Sequence, residues 1–312
     1  MITRDNLTAL LVNLGFNKQA SRYSKAIGSA TLSVDLAIGE IVYPAGLTVN
    51  QKTTCNLSFN ENFVVLECVH RLLEKGYKPE HIELEPTWKL GHGASGGRAD
   101  ILIRDNASKP LLIIECKTAG SEFKKAWNKT LQDGDQLFSY AQQIGETQFL
   151  CLYASDFDDG TLTYTSHIVA HRDNQKYLDD KPDLKGFKTA TDVKERYAVW
   201  RDTYKLDYTT KGIFEPNIQP YHIGKDKYSL DDLQGISAAD QQKKYHEFAT
   251  ILRQHNVSGR ENAFDKLINL FLCKLVDETE NPKDLKFYWK GVAYDTHFDM
   301  LDRLQQLYQA GM

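Results

Sequence analysis

Three residues of the 312-residue chain have the types and spacing to act on a phosphate ester: Asp100, Glu115 and Lys117. Asp100 closes the run GGRAD and opens the apolar ILI, while Glu115-Cys116-Lys117 closes the apolar run LLII. If both runs are strands, side chains alternate across the sheet, so Glu115 and Lys117 share a face and Cys116 points the other way. A hairpin turn at Asn106–Pro110 then brings Asp100 beside Glu115. Two carboxylates and the backbone carbonyl of Cys116 make a partial shell for a hard cation. Magnesium suits it, with manganese as a substitute, because it takes one or two carboxylates and keeps waters for the substrate side. Such an ion polarises a phosphate and acidifies an attacking water. Lys117 can orient that water or offset charge on the phosphoryl oxygens.

The elements that must position these residues are legible around them. Asn60 is expected to cap a helix through FVVLECVHRLLEKG, with Gly76 as its stop and Val64, Val65, Cys68, Val69, Leu72 and Leu73 as its apolar stripe. Three strand candidates follow: IELEPTWKL, RADILIRD and PLLIIECKT. One long amphipathic helix is predicted from about Glu122 to Ile144, with Phe123, Trp127, Leu131, Phe138 and Ala141 at helical spacing. The strands TQFLCLYAS and LTYTSHIVAH come next. The order helix, three strands, helix, two strands predicts an α/β fold with a central mixed sheet flanked by helices. Before it, residues 1–60 carry a short helix near Leu7–Leu14 and strands near Thr31–Asp35 and Glu40–Tyr43. After it, residues 176–235 are polar and broken by prolines and glycines, a connector with one helix near Asp192–Tyr204. Residues 236–312 are helical. Ser258 and Glu261 form a capping box, Phe264, Leu267, Ile268, Phe271, Leu272 and Leu275 form a wide apolar face, and a last helix covers about His297–Gln309.

Asp100 followed by Glu115-Cys116-Lys117 after a hydrophobic run resembles the PD-(D/E)xK nuclease motif, with Ala99 where the motif's proline stands. The resemblance implies a restriction-endonuclease-like core over residues 60–175 within a domain of residues 1–175. It also implies metal binding by Asp100 and Glu115, catalysis by Lys117, and double-stranded DNA as substrate. Glu67 resembles the extra acidic residue that many members place near the metal. Gln136 and Tyr140 resemble the Q-x-x-x-Y motif of type I restriction subunits and RecB-like nucleases, which helps position DNA and the active site; at i and i+4 they share one helix face. The stretch GRENAFDKLINLFLCKLVDE, followed by FYWKG, resembles the helical segment that precedes the catalytic domain of N6-adenine DNA methyltransferases. Together these imply the amino-terminal part of a type I or single-chain restriction-modification enzyme, with a methyltransferase and target-recognition region in the same polypeptide or complex. The chain carries neither an N/D-P-P-Y/F motif nor a G-x-x-x-x-G-K-S/T phosphate loop.

The bulk numbers agree with this reading without selecting it. The net charge is −4, so any nucleic-acid surface must be a local groove. Five cysteines without metal-clip spacing predict reduced thiols and a cytoplasmic setting. No apolar run is long enough to span a membrane. Gly91-His92-Gly93-Ala94-Ser95-Gly96 matches a dinucleotide fingerprint, but a strand follows it, so it reads as a loop ahead of Asp100. Lys124, Lys125 and Lys129 fit either phosphate contact or an ordinary exposed face. Two other functions fit the same residues: a catalytically silent DNA-binding or scaffold module, and a nuclease acting on RNA or on damaged or branched DNA.

Overall fold

Among the described residues of this computed structural model, Glu115 lies in a six-stranded mixed sheet and Asp100 immediately precedes one of its strands. The structure describes residues 1–87, 98–171, 183, 185–204, 213–214, 220–221, 223, 229–230, 233, 235, 237–254, 260–288 and 297–312. The chain divides into two units, Met1–Ile223 and Gly224–Met312.

The first unit opens with helix α1 (Leu7–Asn13) and an antiparallel meander of β1 (Asn17–Gln19), β2 (Arg22–Ile27), β3 (Ala30–Asp35) and β4 (Glu40–Val42). The last two strands sit where the sequence predicts them. The first two were not expected, because β1 is exposed throughout and β2 buries little beyond Tyr23, so neither shows a strand's alternation.

The central sheet contains β5 (Thr48–Val49), β6 (Ile82–Leu84), β7 (Ile101–Arg104), β8 (Pro110–Cys116), β9 (Phe149–Asp158) and β10 (Thr161–Ala170), in the spatial order β10-β9-β8-β7-β6-β5. β5–β6 and β8–β9 are parallel, and the other pairs are antiparallel. Every residue of β8 after Pro110 is buried. A strand covered on both faces reads as such a continuous apolar run. Helix α2 (Asn60–Lys75) packs on β8 and β9. Its whole predicted stripe is buried, and Gly76 ends it in a left-handed turn at φ 102°. Asn60 is the first helical residue and not the cap; that position is Phe59, which makes no side-chain capping bond. In the described part of the run IELEPTWKL, Ile82–Leu84 forms a strand and Thr87 bridges to Arg98; residues 88–97, including the end of that run and the glycine-rich run, lie outside the described residues.

The single helix expected over 122–144 is two helices, α3 (Ser121–Asp133) and α4 (Asp135–Gln143). Gly134 breaks them apart at φ 84°, where a Cβ would stand 2.8 Å from the Phe138 ring. The apolar spacing runs on across the break, so periodicity alone does not reveal it. Helix α5 (Val193–Tyr204) buries Tyr197 and Trp200, with Trp200 against Trp127 and Phe138.

The second unit holds α6 (Ala238–Gln254), α7 (Arg260–Glu280) and α8 (His297–Gly311). Ser258 lies outside the described residues, and the expected capping box with it. The predicted apolar face of α7 is not the one it buries. Phe264, Ile268, Phe271 and Leu275 are exposed, whereas Cys273 and Asp277 are buried. Asp277 accepts the backbone N–H groups of Lys286 and Phe287, and this fixes which side of the helix turns inward. Among the described residues all five cysteines are free, and no helix is long and apolar enough to cross a membrane.

Candidate active site

β7 and β8 pair Ile101 with Ile114, so one residue further along the same register Asp100 faces Glu115. Asp100 Oδ2 accepts the Cys116 backbone N–H at 2.7 Å, which fixes the carboxylate across the strand end. The Asp100 carbonyl accepts the Glu85 N–H at 2.9 Å. On the other side, the Lys117 N–H donates to the Tyr153 carbonyl of β9 at 2.8 Å, extending the parallel β8–β9 ladder one step past the strand. Glu115 and Lys117 share a face as their spacing predicts. Lys117 Nζ donates to Glu115 Oε1 at 2.7 Å and lies 3.4 Å from Glu61 Oε2.

Charge is crowded here. Burial pushes the Asp100 carboxyl well above the usual carboxylate range, and the negative charges of Glu115 and Glu61 push it further. Burial also raises Glu115, against the opposing pull of Lys117. For Lys117 burial works against the ammonium, but the charges of Glu115, Glu61 and Asp100 outweigh it and raise its pKa. Glu115 Oε2 is buried and makes no hydrogen bond of ordinary geometry, although the Tyr140 hydroxyl acts on the carboxyl closely enough to lower its pKa. A carboxylate oxygen left poorly satisfied beside a second crowded carboxylate is a costly arrangement that a cation would relieve.

Gln136 and Tyr140 both fall on α4 and meet. The Gln136 amide donates to the Tyr140 hydroxyl, which donates to the Arg98 carbonyl at 2.8 Å. Arg98 lies two residues before Asp100, so this pair ties the start of β7 to the helix. Tyr140 is also close enough to Glu115 to lower that carboxyl's pKa. Lys124, Lys125 and Lys129 are exposed on α3.

Glu67 does not join this cluster. It is fully buried, with Oε1 accepting from Arg71 and Oε2 accepting the Tyr153 hydroxyl at 2.5 Å. The acidic residue of α2 that does reach the site is Glu61, in the first turn. Sequence reasoning passed over it because an acid in a first turn ordinarily complements the helix dipole. Glu61 and Glu67 are six positions apart, which places them on different sides of the helix, about 9 Å apart along its axis.

Among the described residues, no group of three or more His, Cys, Asp or Glu side chains is placed to hold a metal ion. Among the described residues, the buried side-chain donors at the strand end are the carboxylates of Asp100 and Glu115, with Glu61 near Lys117. The pair Asp100 and Glu115, with a poorly satisfied hard oxygen, meets the modest protein-ligand demand of magnesium, which uses one or two carboxylates.

Residues 60–180 match the family model described as Type I restriction enzyme R protein N terminus (HSDR_N). The match runs from the first residue of α2 past β10 and contains Asp100, Glu115, Lys117, Gln136 and Tyr140. No curated protein matches the chain.

Proposed function

We propose that the region around β7 and β8 is a magnesium-dependent DNA endonuclease centre of the PD-(D/E)xK type, working in a restriction-modification system. The observation that carries this is the convergence of Asp100, Glu115 and Lys117 at one strand end, two buried and crowded carboxyls beside one ammonium. The similarity of residues 60–180 to the amino-terminal region of type I restriction R proteins supports the biological setting. The mixed sheet, with α2 packed on β8 and β9 and with α3 and α4 packed on β9, supports the reading of a restriction-endonuclease-like core. Helices α6, α7 and α8 are read as the start of an N6-adenine methyltransferase helical region, with a target-recognition region as partner, and the free cysteines support a cytoplasmic setting.

Asp100 and Glu115 would hold the ion, together with the Cys116 carbonyl. When bound, magnesium supplies polarisation of the scissile phosphate and acidification of a water. Lys117 keeps its charge at neutral pH because three carboxylates surround it, so it presents a fixed cation to the phosphoryl oxygens as negative charge builds on them. Glu61 and Glu115 limit where the ammonium can go. The Cys116 N–H holds one Asp100 oxygen toward the strand. Gln136 and Tyr140, acting through the Arg98 carbonyl, fix the entry to β7 and support DNA placement.

Plasmid cleavage by the chain in magnesium, beside Asp100→Ala and Lys117→Ala, tests the proposal. Cleavage by the parent protein and none by the variants is expected. Cleavage by Lys117→Ala at the parent rate would overturn it.

A further inference from the structure

A second buried acid lies under the same strand end. Glu67 is fully buried on a helix face otherwise built from Val64, Val65, Cys68, Val69 and Leu72. Its two oxygens are both engaged. Arg71 Nη2 and Nε donate to Oε1 at 2.5 and 2.9 Å, and the Tyr153 hydroxyl donates to Oε2 at 2.5 Å. Arg71 Nε also donates to the Tyr153 hydroxyl at 3.1 Å, so the three groups close a ring of hydrogen bonds. The Arg71 guanidinium lies over the Tyr164 ring, 4.0 Å from its centroid, and Tyr153 stacks on that ring at 6.2 Å and 19°.

Such a network is a costly way to fill a core, because an apolar set of the same volume holds a fold at least as well. What it adds is directional. Tyr153 is the β9 residue paired with Cys116, and its carbonyl accepts the Lys117 N–H. Glu67 sits on the helix that carries Glu61 to the Lys117 ammonium. The ring therefore joins α2 to β9 at the residue that holds the Lys117 backbone, while the same helix contacts the Lys117 side chain.

We propose that Glu67, Arg71 and Tyr153 form a positioning clamp: without touching metal or DNA, they fix the Lys117 backbone and the reach of Glu61. This deepens the nuclease proposal and rests on it for its consequence in cleavage, but its structural half stands apart. The Tyr153 hydroxyl is the link between the helix and the strand. Removing it leaves the Glu67–Arg71 ion pair in place and frees the β9 strand at Tyr153 to shift against α2.

Hydrogen exchange on the full chain, read at the Lys117 amide, tests the clamp together with single-turnover plasmid cleavage in magnesium. Tyr153→Phe is expected to speed exchange at Lys117 about tenfold or more, while Leu102 and Ile103 in the β7–β8 ladder stay within about twofold. Its cleavage rate should fall roughly tenfold to a hundredfold, the cost of a displaced catalytic group. DNA affinity should not change, a split that general loss of stability does not produce. Glu67→Gln keeps an acceptor for the Tyr153 hydroxyl and should hold Lys117 exchange within about threefold of the parent. Unchanged protection in Tyr153→Phe, or loss spread evenly over the sheet, would overturn the clamp and leave the nuclease proposal standing. A folded parent protein that cuts no DNA in magnesium or manganese would overturn the nuclease proposal. In that case selective deprotection at Lys117 would still uphold the clamp's hold on the strand, and its absence would remove that too.

Discussion

Two buried acidic clusters lie on either side of the same strand end, and they are built in opposite ways. Around Glu67 every oxygen is matched: one carboxylate meets one guanidinium and one hydroxyl, and the group is sealed from solvent. Around Asp100 and Glu115 the charges are mismatched. Two inward carboxylates, with Glu61 close by, share one ammonium; both inward carboxyls are pushed up, and one oxygen makes no hydrogen bond of ordinary geometry. A balanced cluster contributes to fold and register, whereas an unbalanced one is poised for a ligand that completes it. The contrast separates two acids that a motif reading had placed in one site.

The largest effect expected from this contrast is on cleavage. Lys117→Met should lower plasmid cleavage about a thousandfold or more by removing the ammonium that the proposed site offers to the phosphoryl oxygens. A variant that cuts at a tenth of the parent rate would place Lys117 among the supporting residues.

Next comes stability at the balanced cluster. Glu67→Ala leaves Arg71 largely buried without its counter-charge and should cost about 3–5 kcal/mol in denaturant unfolding, the range for breaking a buried pair. A loss under about 1 kcal/mol would mean that solvent reaches the pair and the contrast fails.

A third buried group sharpens the balanced side. His171 Nδ1 lies 2.8 Å from the Thr147 carbonyl and Nε2 lies 3.0 Å from Arg196, an arrangement that suits a neutral ring donating through Nδ1. Burial, with the Arg196 charge, lowers its pKa to about 4, against 6.5 for an unperturbed histidine. The unfolded chain takes up a proton as pH falls through 6.5 and the fold does not, so stability is full above 6.5 and is lost on the way down to about 4. At pH 5 this group should account for about 1–2 kcal/mol, seen as a shallower acid limb for His171→Gln in chemical unfolding. Parallel limbs for the two proteins would show that His171 titrates freely.

The smallest effect carries the most telling sign. In metal-free protein the raised Asp100 carboxyl favours the fold below the unfolded pKa of 3.8 and loses that advantage as pH rises through the folded value. Asp100→Asn should therefore be as stable as the parent at neutral pH, or about 1 kcal/mol more so, while cleaving nothing. Clear destabilisation would put Asp100 with Glu67 among the balanced groups.

Much of this was readable from residue order. The strands around Asp100 and Glu115-Cys116-Lys117 are short, apolar and bounded by turn residues, so their pairing follows from pattern. The shared face of Glu115 and Lys117 follows from two-residue periodicity. Glu67 misled because a helix position does not reveal which neighbours it will meet, and its partner Tyr153 is 86 residues away. Glu61 was missed for the converse reason, a first-turn acid whose local role looks sufficient. The break at Gly134 and the inward turn of Asp277 on α7 depend on a left-handed backbone and on distant N–H groups, neither of which apolar spacing encodes.

Manganese titration of the full chain, followed by electron paramagnetic resonance, tests most directly the claim that Asp100 and Glu115 are poised for a divalent ion. Saturable binding at this site is expected in the parent protein, lost or weakened at least about tenfold in Glu115→Gln and unchanged in Lys124→Gln. A folded parent protein with no saturable manganese binding, or a Glu115→Gln variant that binds as the parent does, would contradict it.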